Sequence, residues 1–190
     1  GYDSTNSIAR PTAGFRSRIE TEYAGLGGNY CFASLGYLNT YYIPVGTRNV
    51  LKFRADARFI QPIGQTQGDH LPIDERFFLG GENEIRGFRP YRLGPQFNKG
   101  DPEGGISMQL LSAEFQRRLW KRLDGFLFID AGHLSLAHWD FGKLYTSAGF
   151  GARFQVFESG PPLSIGMGFP INADNRSDVK KFFLNIGGKF

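Results

Sequence analysis

The feature that most constrains the fold is a two-residue alternation of apolar and charged side chains. It is sharpest between residues 51 and 59, where Leu51, Phe53 and Ala55 alternate with charged Lys52 and Arg54. A period of two places alternate side chains on opposite faces of an extended strand. This segment is therefore predicted to be a β-strand with one apolar face and one charged face.

The same period recurs along most of the chain, and turn residues separate the alternating segments. Glycine occurs 26 times and phenylalanine 19 times, and regularly spaced glycine and aromatic residues are typical of all-β barrels. We predict an all-β antiparallel meander without helices. Its eight strands are expected at about 15–23, 30–45, 51–59, 106–119, 123–132, 144–157, 163–169 and 180–190.

Alternation alone does not decide which face is buried. A soluble sandwich would bury the apolar face, whereas a transmembrane barrel would turn that face to lipid and line a wet lumen with the charges. The connections favour the barrel, because they are sorted by length at the two ends of the strands, as in outer-membrane barrels. The short turns are 46–49, 119–122 and 158–161; the long loops are 61–104, 133–143 and 171–179, with the short 25–29 connection the exception.

The predicted organisation is simple. Residues 1–13 are polar and are expected to form a tail, and residues 14–190 are expected to form the transmembrane β-barrel. Loop 61–104 within it is far longer than the about 2–5 residues that a hairpin needs. A loop of such length usually carries function.

The composition argues against several classes of function. The net charge of +4 is not concentrated in a basic run, so we predict no nucleic-acid partner. No phosphate-binding glycine motif and no Gly-x-Ser-x-Gly elbow occur. His133, His138 and Asp140 are more simply polar loop residues than metal ligands or a protease site. We therefore expect no enzyme activity, no metal and no cofactor.

The loop carries a motif that resembles a known family. Gly80-Gly81 followed by Ile85-Arg86-Gly87-Phe88 is similar to the loop-six motif of the BamA superfamily, outer-membrane barrels that insert or translocate other proteins. The resemblance continues in order along later strands. It includes the segments 112–115, 128–132, 147–149, 160–161, 169–170 and 185–187, and the terminal Phe190 resembles the assembly signal of bacterial outer-membrane barrels.

The resemblance implies a location in the bacterial outer membrane and a role in inserting β-barrel proteins. The implied partners are the lipid bilayer, unfolded outer-membrane clients, and accessory assembly lipoproteins or a second copy of this chain. The family barrel has sixteen strands, so eight strands correspond to half of it. An eight-stranded barrel is filled by its own side chains. Three arrangements remain open: half of a larger barrel, two paired copies, or a small closed barrel with the loop outside.

The resemblance also implies roles for individual residues. Arg86 is expected to fold into the lumen and contact Glu114 and Asp130, with Phe128 beside it. The alternation agrees with this expectation, because Phe128 and Asp130 fall at the alternate positions that form the polar face of their strand. The loop-motif residues are Gly80, Gly81, Arg86, Gly87 and Phe88.

Glycines near the C-terminus imply a weak seam. Gly187 and Gly188 precede the terminal Phe190, and glycine weakens a strand. The family uses a weak seam between first and last strands as a lateral gate for client strands. The alternative is that these glycines only provide room for side-chain packing.

Other functions within and outside the superfamily stay open at this point. They are a two-partner secretion translocator, the membrane anchor of a patatin-type lipase, and a small structural barrel or porin.

Overall fold

The computed structural model describes residues 1–8, 10–25, 30–64, 66, 71–98, 100–138, 140, 142–155 and 160–187. They form one antiparallel sheet in which each strand pairs with the next along the chain, in the order β1 to β9. The strands are β1 (Tyr2–Asp3), β2 (Gly14–Ala24), β3 (Phe32–Val45), β4 (Asn49–Pro62), β5 (Ser107–Trp120), β6 (Leu123–Ser135), β7 (Tyr145–Phe154), β8 (Leu163–Pro170) and β9 (Phe182–Ile186).

The predicted all-β antiparallel meander is confirmed. The strand number differs by one, because the two-residue β1 pairs with β2 through Tyr2 and Ser17. Residues 1–13, expected to be a tail, are thus partly folded against the sheet at their described positions. Arg10 reinforces this by donating to both carboxylate oxygens of Asp124 on β6, each at 2.7 Å.

The two faces of the sheet are arranged as expected for a membrane barrel, with charged residues on the inner face and apolar residues on the outer face. On β4, Lys52 and Asp56 are buried on the concave inner face, while Phe53 points outward and is 42% exposed. On β6, Asp130 is fully buried and Leu127 is 59% exposed. The alternative of a soluble sandwich, with apolar residues inside, is therefore wrong for these strands.

The sheet is strongly curved. Phe126 of β6 and Phe183 of β9 lie three strands apart in the pairing order, yet their ring centroids are 6.4 Å apart across the concave face. Among the described residues the pairing is an open series, and no ladder joins β9 to β1 or β2.

The connection between β4 and β5 folds into this concave face. Its Leu79, Ile85, Phe88 and Leu93 are almost fully buried, and they pack with inner-face residues of β5, β6 and β7. Those wall residues are Met108, Leu110, Leu134 and Tyr145. The arrangement with the loop outside a small closed barrel is therefore wrong, because the loop's apolar side chains need the inner wall to leave water.

The remaining regular structure is short. Two 3₁₀ turns, Ile73–Glu75 and Arg176–Asp178, lie in the described parts of the connections. No helix in the described part of the chain has the length and apolar character to cross a membrane.

Candidate functional site

The loop backbone turns sharply on both sides of Arg86. Gly80 has a φ of 117° and Gly87 a φ of 95°, which favours glycine over residues with a side chain. A Cβ on Gly80 would lie 2.5 Å from the carbonyl oxygen of Arg89, so a side chain has no room there. Gly81 also has a positive φ, of 99°. These turns direct Arg86 toward the inner wall.

Arg86 meets the residues that the sequence analysis predicted as its partners. Its Nε and Nη2 donate to the two carboxylate oxygens of Asp130, each at 2.9 Å. Its Nη1 donates to Glu114 Oε2 at 2.8 Å. Its backbone N–H donates to Asp130 Oδ2 at 3.1 Å. The planar guanidinium thus uses its fork geometry on two carboxylates of adjacent strands.

Phe128 lies beneath the guanidinium. The guanidinium carbon is 3.6 Å from the centre of that ring, which is a close cation–π contact. Arg86 is 2% exposed, Glu114 1% and Asp130 0%. Charges buried this deeply need each other, since removing one partner leaves an uncompensated charge in a poorly solvated place.

Two further cations share Glu114 and were not predicted as site residues. Arg153 of β7 donates from Nη1 to Glu114 Oε1 at 2.8 Å, and Lys52 Nζ of β4 lies 3.4 Å from the same oxygen. Ser112 completes the network by donating to Asp130 Oδ1 at 2.5 Å. The sequence did carry one signal for these residues. In the two-residue alternation, Lys52, Ser112 and Arg153 each fall on the charged or polar face of their strand. Lys52 is also directly opposite Glu114 in the β4–β5 register.

The fifth residue of the motif, Phe88, is 1% exposed and packs edge-on against Tyr145 at a centroid distance of 6.2 Å. Its contact with the wall is apolar, whereas the contacts of Arg86 are with charged groups. Of the motif residues, Arg86, Gly87 and Phe88 contact the wall strands, whereas Gly80 and Gly81 pack against Arg89 and Pro90 of the loop itself.

The predicted seam residues are described only in part. Gly187 ends the described chain with a φ of 104° and donates its N–H to Pro162 O at 2.8 Å. Gly188 and Phe190 lie outside the described residues. The last strand β9 is short and pairs with β8 from Phe182 to Ile186.

His133, near the end of β6, and His138, in the β6–β7 connection, both contact backbone oxygens. His133 contacts the carbonyls of Lys143 and Asp140, at 2.9 and 2.6 Å, and His138 contacts the carbonyl of Ile60 at 2.7 Å. Across the described residues, no group of three or more His, Cys, Asp or Glu side chains is placed to hold a metal ion.

The arrangement of the site is suited to holding a loop. Its carboxylates are paired with guanidinium groups, and the Ser112 hydroxyl donates to Asp130. The chemistry of the site is therefore ion pairing and ring stacking that fix Arg86 in one place.

Comparison with known proteins gives consistent matches. The profile of the Omp85 superfamily domain matches residues 1–190. The outer membrane protein assembly factor BamA of Neisseria meningitidis is 26% identical over 228 residues, covering 100% of this chain and 28% of that protein. BamA of Nitratidesulfovibrio vulgaris is 28% identical over 199 residues, covering 99% and 24%.

An animal protein matches over a shorter range. The sorting and assembly machinery component 50 homolog of Mus musculus is 32% identical over 104 residues, covering 54% of this chain and 21% of that protein. The chain thus spans about a quarter of the length of these curated relatives.

A solved structure shares the fold. The crystal structure of BamA from Haemophilus ducreyi lacking POTRA domains 1–3 superposes with a TM-score of 0.84 at 20% identity. The match covers 96% of this chain and 40% of that chain. The predicted resemblance of fold is thereby confirmed.

Proposed function

We propose, because the chain belongs to the Omp85 superfamily, that it is part of an outer-membrane barrel that assembles other β-barrel proteins into the membrane. The proposal rests on the relatives, which are named as assembly factors and as a sorting and assembly component. The observation that carries it is the burial of Arg86 on Glu114 and Asp130, and we propose that these contacts fix the long loop on the inner wall. In this proposal the loop is part of the assembly machinery and acts without catalysis.

We further propose the bacterial outer membrane as the location. The two bacterial relatives match over 99–100% of the chain, whereas the mouse relative matches over 54%. The outward-facing Phe53, Leu111 and Leu127 would contact the lipid bilayer. Unfolded outer-membrane proteins are the proposed clients, with accessory assembly lipoproteins or a second copy of the chain as further proposed partners.

The proposed mechanism is templating at a weak seam. The strand β9 is short, and its pairing with β8 runs only from Phe182 to Ile186. A strand with an unpaired edge offers its backbone N–H and C=O groups to an incoming strand. A client strand would add to that edge, and the barrel would hold it until the client closes.

The test is client insertion by the full-length protein reconstituted in proteoliposomes. Arg86→Ala is expected to slow insertion of an unfolded barrel roughly tenfold, which corresponds to about 1.4 kcal/mol. Insertion is followed by the gel shift of the folded client. The matched control is Arg92→Ala, since Arg92 is an exposed arginine of the same loop that donates to Gly100 O.

Three outcomes would contradict the proposal. Equal insertion rates for wild type and Arg86→Ala would remove the loop from the function. Transport of a client across the membrane without insertion would identify a translocator. Conductance without either activity would identify a structural barrel or porin.

A further inference from the structure

The loop motif contacts the start of the last strand as well as the inner wall. Lys180 N–H donates to Gly87 O at 2.9 Å, and Arg89 N–H donates to Asp178 O at 2.8 Å. Phe88 and Val179 form an antiparallel bridge between them. The residues after Arg86 therefore make a short ladder with the segment that leads directly into β9.

A stack of side chains makes a second connection. The guanidinium of Arg86 lies on the ring of Phe128, and Phe128 meets Phe183 edge-on at a centroid distance of 5.8 Å. Phe183 belongs to β9 and is 3% exposed. The inner face of the last strand is thus packed against the ring that supports Arg86.

Asn83 makes a third connection across the concave face. Its side-chain oxygen accepts from Asn185 Nδ2 of β9 at 2.8 Å, and its backbone oxygen accepts from Arg54 Nη1 of β4 at 2.8 Å. One loop residue therefore joins the last strand to a strand on the other side of the lumen.

The two backbones touch where the loop crosses β8. A Cβ on Gly87 would lie 2.8 Å from the carbonyl carbon of Gly168, and a Cβ on Gly168 would lie 2.6 Å from Gly87 N. The N–H of Gly168 donates to Lys181 O at 2.7 Å, immediately before β9 begins. The crossing thus sits at the point where β9 joins the sheet, and only two glycines allow it.

From these contacts we infer that the loop is a clip for the last strand, so that docking of Arg86 and the order of β9 belong to one equilibrium. Asn83 and Gly168 are positioning residues in this clip, acting on β9 through backbone and amide contacts. The inference rests on the proposed function in one respect, since the strand that the loop holds in order, β9, is the strand that we propose as the seam. Release of Arg86 would then free the seam edge, and capture of the edge by a client would release the loop.

Hydrogen exchange of the full-length protein in lipid nanodiscs, without client, tests the clip. Arg86→Ala is expected to speed exchange of the backbone amides of Phe182–Ile186 roughly tenfold, within the range typical of coupled sites. Amides of β3 serve as the internal reference. The matched control is Arg76→Ala, because Arg76 is a buried arginine of the same loop that binds Leu71 O and Glu103, away from β9.

Thermodynamic coupling must act in both directions. Asn185→Ala removes a β9 contact without disturbing the Arg86 pairs, and it is expected to speed proteolysis within loop residues 71–98 relative to wild type. If Arg86→Ala does not fold, Asn83→Ala replaces it, and faster exchange of the β9 amides is expected in that variant too. Together these variants distinguish a clip from a wall anchor that only stabilises the barrel.

Unchanged β9 exchange in an Arg86→Ala protein whose loop has become protease-sensitive would overturn the inference. Unchanged loop proteolysis in Asn185→Ala would overturn it as well. The outcome is separate from that of the insertion assay: coupled exchange without client insertion refutes the proposed function and leaves the clip standing.

Discussion

The inner face of the sheet has two different walls. Strands β4 to β6 present buried charges, among them Lys52, Glu114 and Asp130. Strand β7 adds the buried Arg153 to these charges, but β7 and β8 otherwise present glycines opposite the phenylalanines of their neighbours: Gly149 faces Phe128, Gly151 faces Phe126, and Gly166 faces Phe183. One wall contacts the loop through charged groups, and the other provides the space into which aromatic rings and the loop backbone fit.

Two consecutive residues of the loop contact the two different walls. The Arg86 side chain is bonded to the charged wall, whereas Gly87 touches the backbone of Gly168 on the glycine wall. The energetic consequences differ. On the charged wall, loss of one partner leaves the other charge buried and unpaired. On the glycine wall, an added atom must displace a neighbour, because interiors are closely packed.

The largest expected effect comes from breaking the charged wall. Glu114→Ala leaves Arg86, Arg153 and Lys52 without their shared carboxylate, and we expect a loss of about 3–5 kcal/mol in unfolding free energy. Urea unfolding in lipid measures it. The control is Glu20→Ala, whose exposed pair with Arg18 predicts a change below about 1 kcal/mol. Similar losses in the two variants would contradict a special role for burial.

A smaller effect is expected from filling the glycine wall. In Gly151→Ala the new Cβ would lie 2.5 Å from Phe126 Cζ and 2.6 Å from the carbonyl oxygen of Ile165, and we expect a loss of about 1–3 kcal/mol. The matched control is Gly125→Ala, where the nearest atom is the end of Leu119 at 3.3 Å. If both substitutions shift the urea midpoint equally, strand propensity and not space explains the glycines.

The smallest effect is expected from removing one cation of the charge network while Glu114 stays paired with the other two. Lys52→Met keeps the buried aliphatic stem and leaves Glu114 paired with Arg86 and Arg153, so we expect a change of less than about 1.5 kcal/mol. Thermal unfolding in lipid, compared with Glu114→Ala, measures it. A loss as large as that of Glu114→Ala would show that Lys52 is as necessary to the network as the carboxylate that it pairs with.

Most of the fold was predictable, because the two-residue period is local information. The strand predicted at 51–59 is observed at Asn49–Pro62, and the strand predicted at 123–132 at Leu123–Ser135. The two-residue β1 was missed, since a segment so short has no period to detect. The direction of the faces also needed more than alternation, because charges on alternate positions fit either a lumen or an outer surface.

The candidate site was predictable in part, and through the resemblance more than through spacing. Arg86, Glu114 and Asp130 were expected together and are found in contact. Arg153 and Lys52 were not included, because their meeting at Glu114 depends on the register of separate hairpins, which is a non-local property. The ladder between residues 87–89 and 178–180 could not be predicted for the same reason.

The distance along the chain between Arg86 and its partners has a consequence for how the protein folds. The arginine is separated from Glu114 by 28 residues and from Asp130 by 44. Contacts between distant residues form late and slowly, because closing the intervening chain costs entropy. Until β5 and β6 are paired, the two carboxylates are not held side by side for Arg86, so we expect its withdrawal into the lumen to be a late step that follows the completion of this wall.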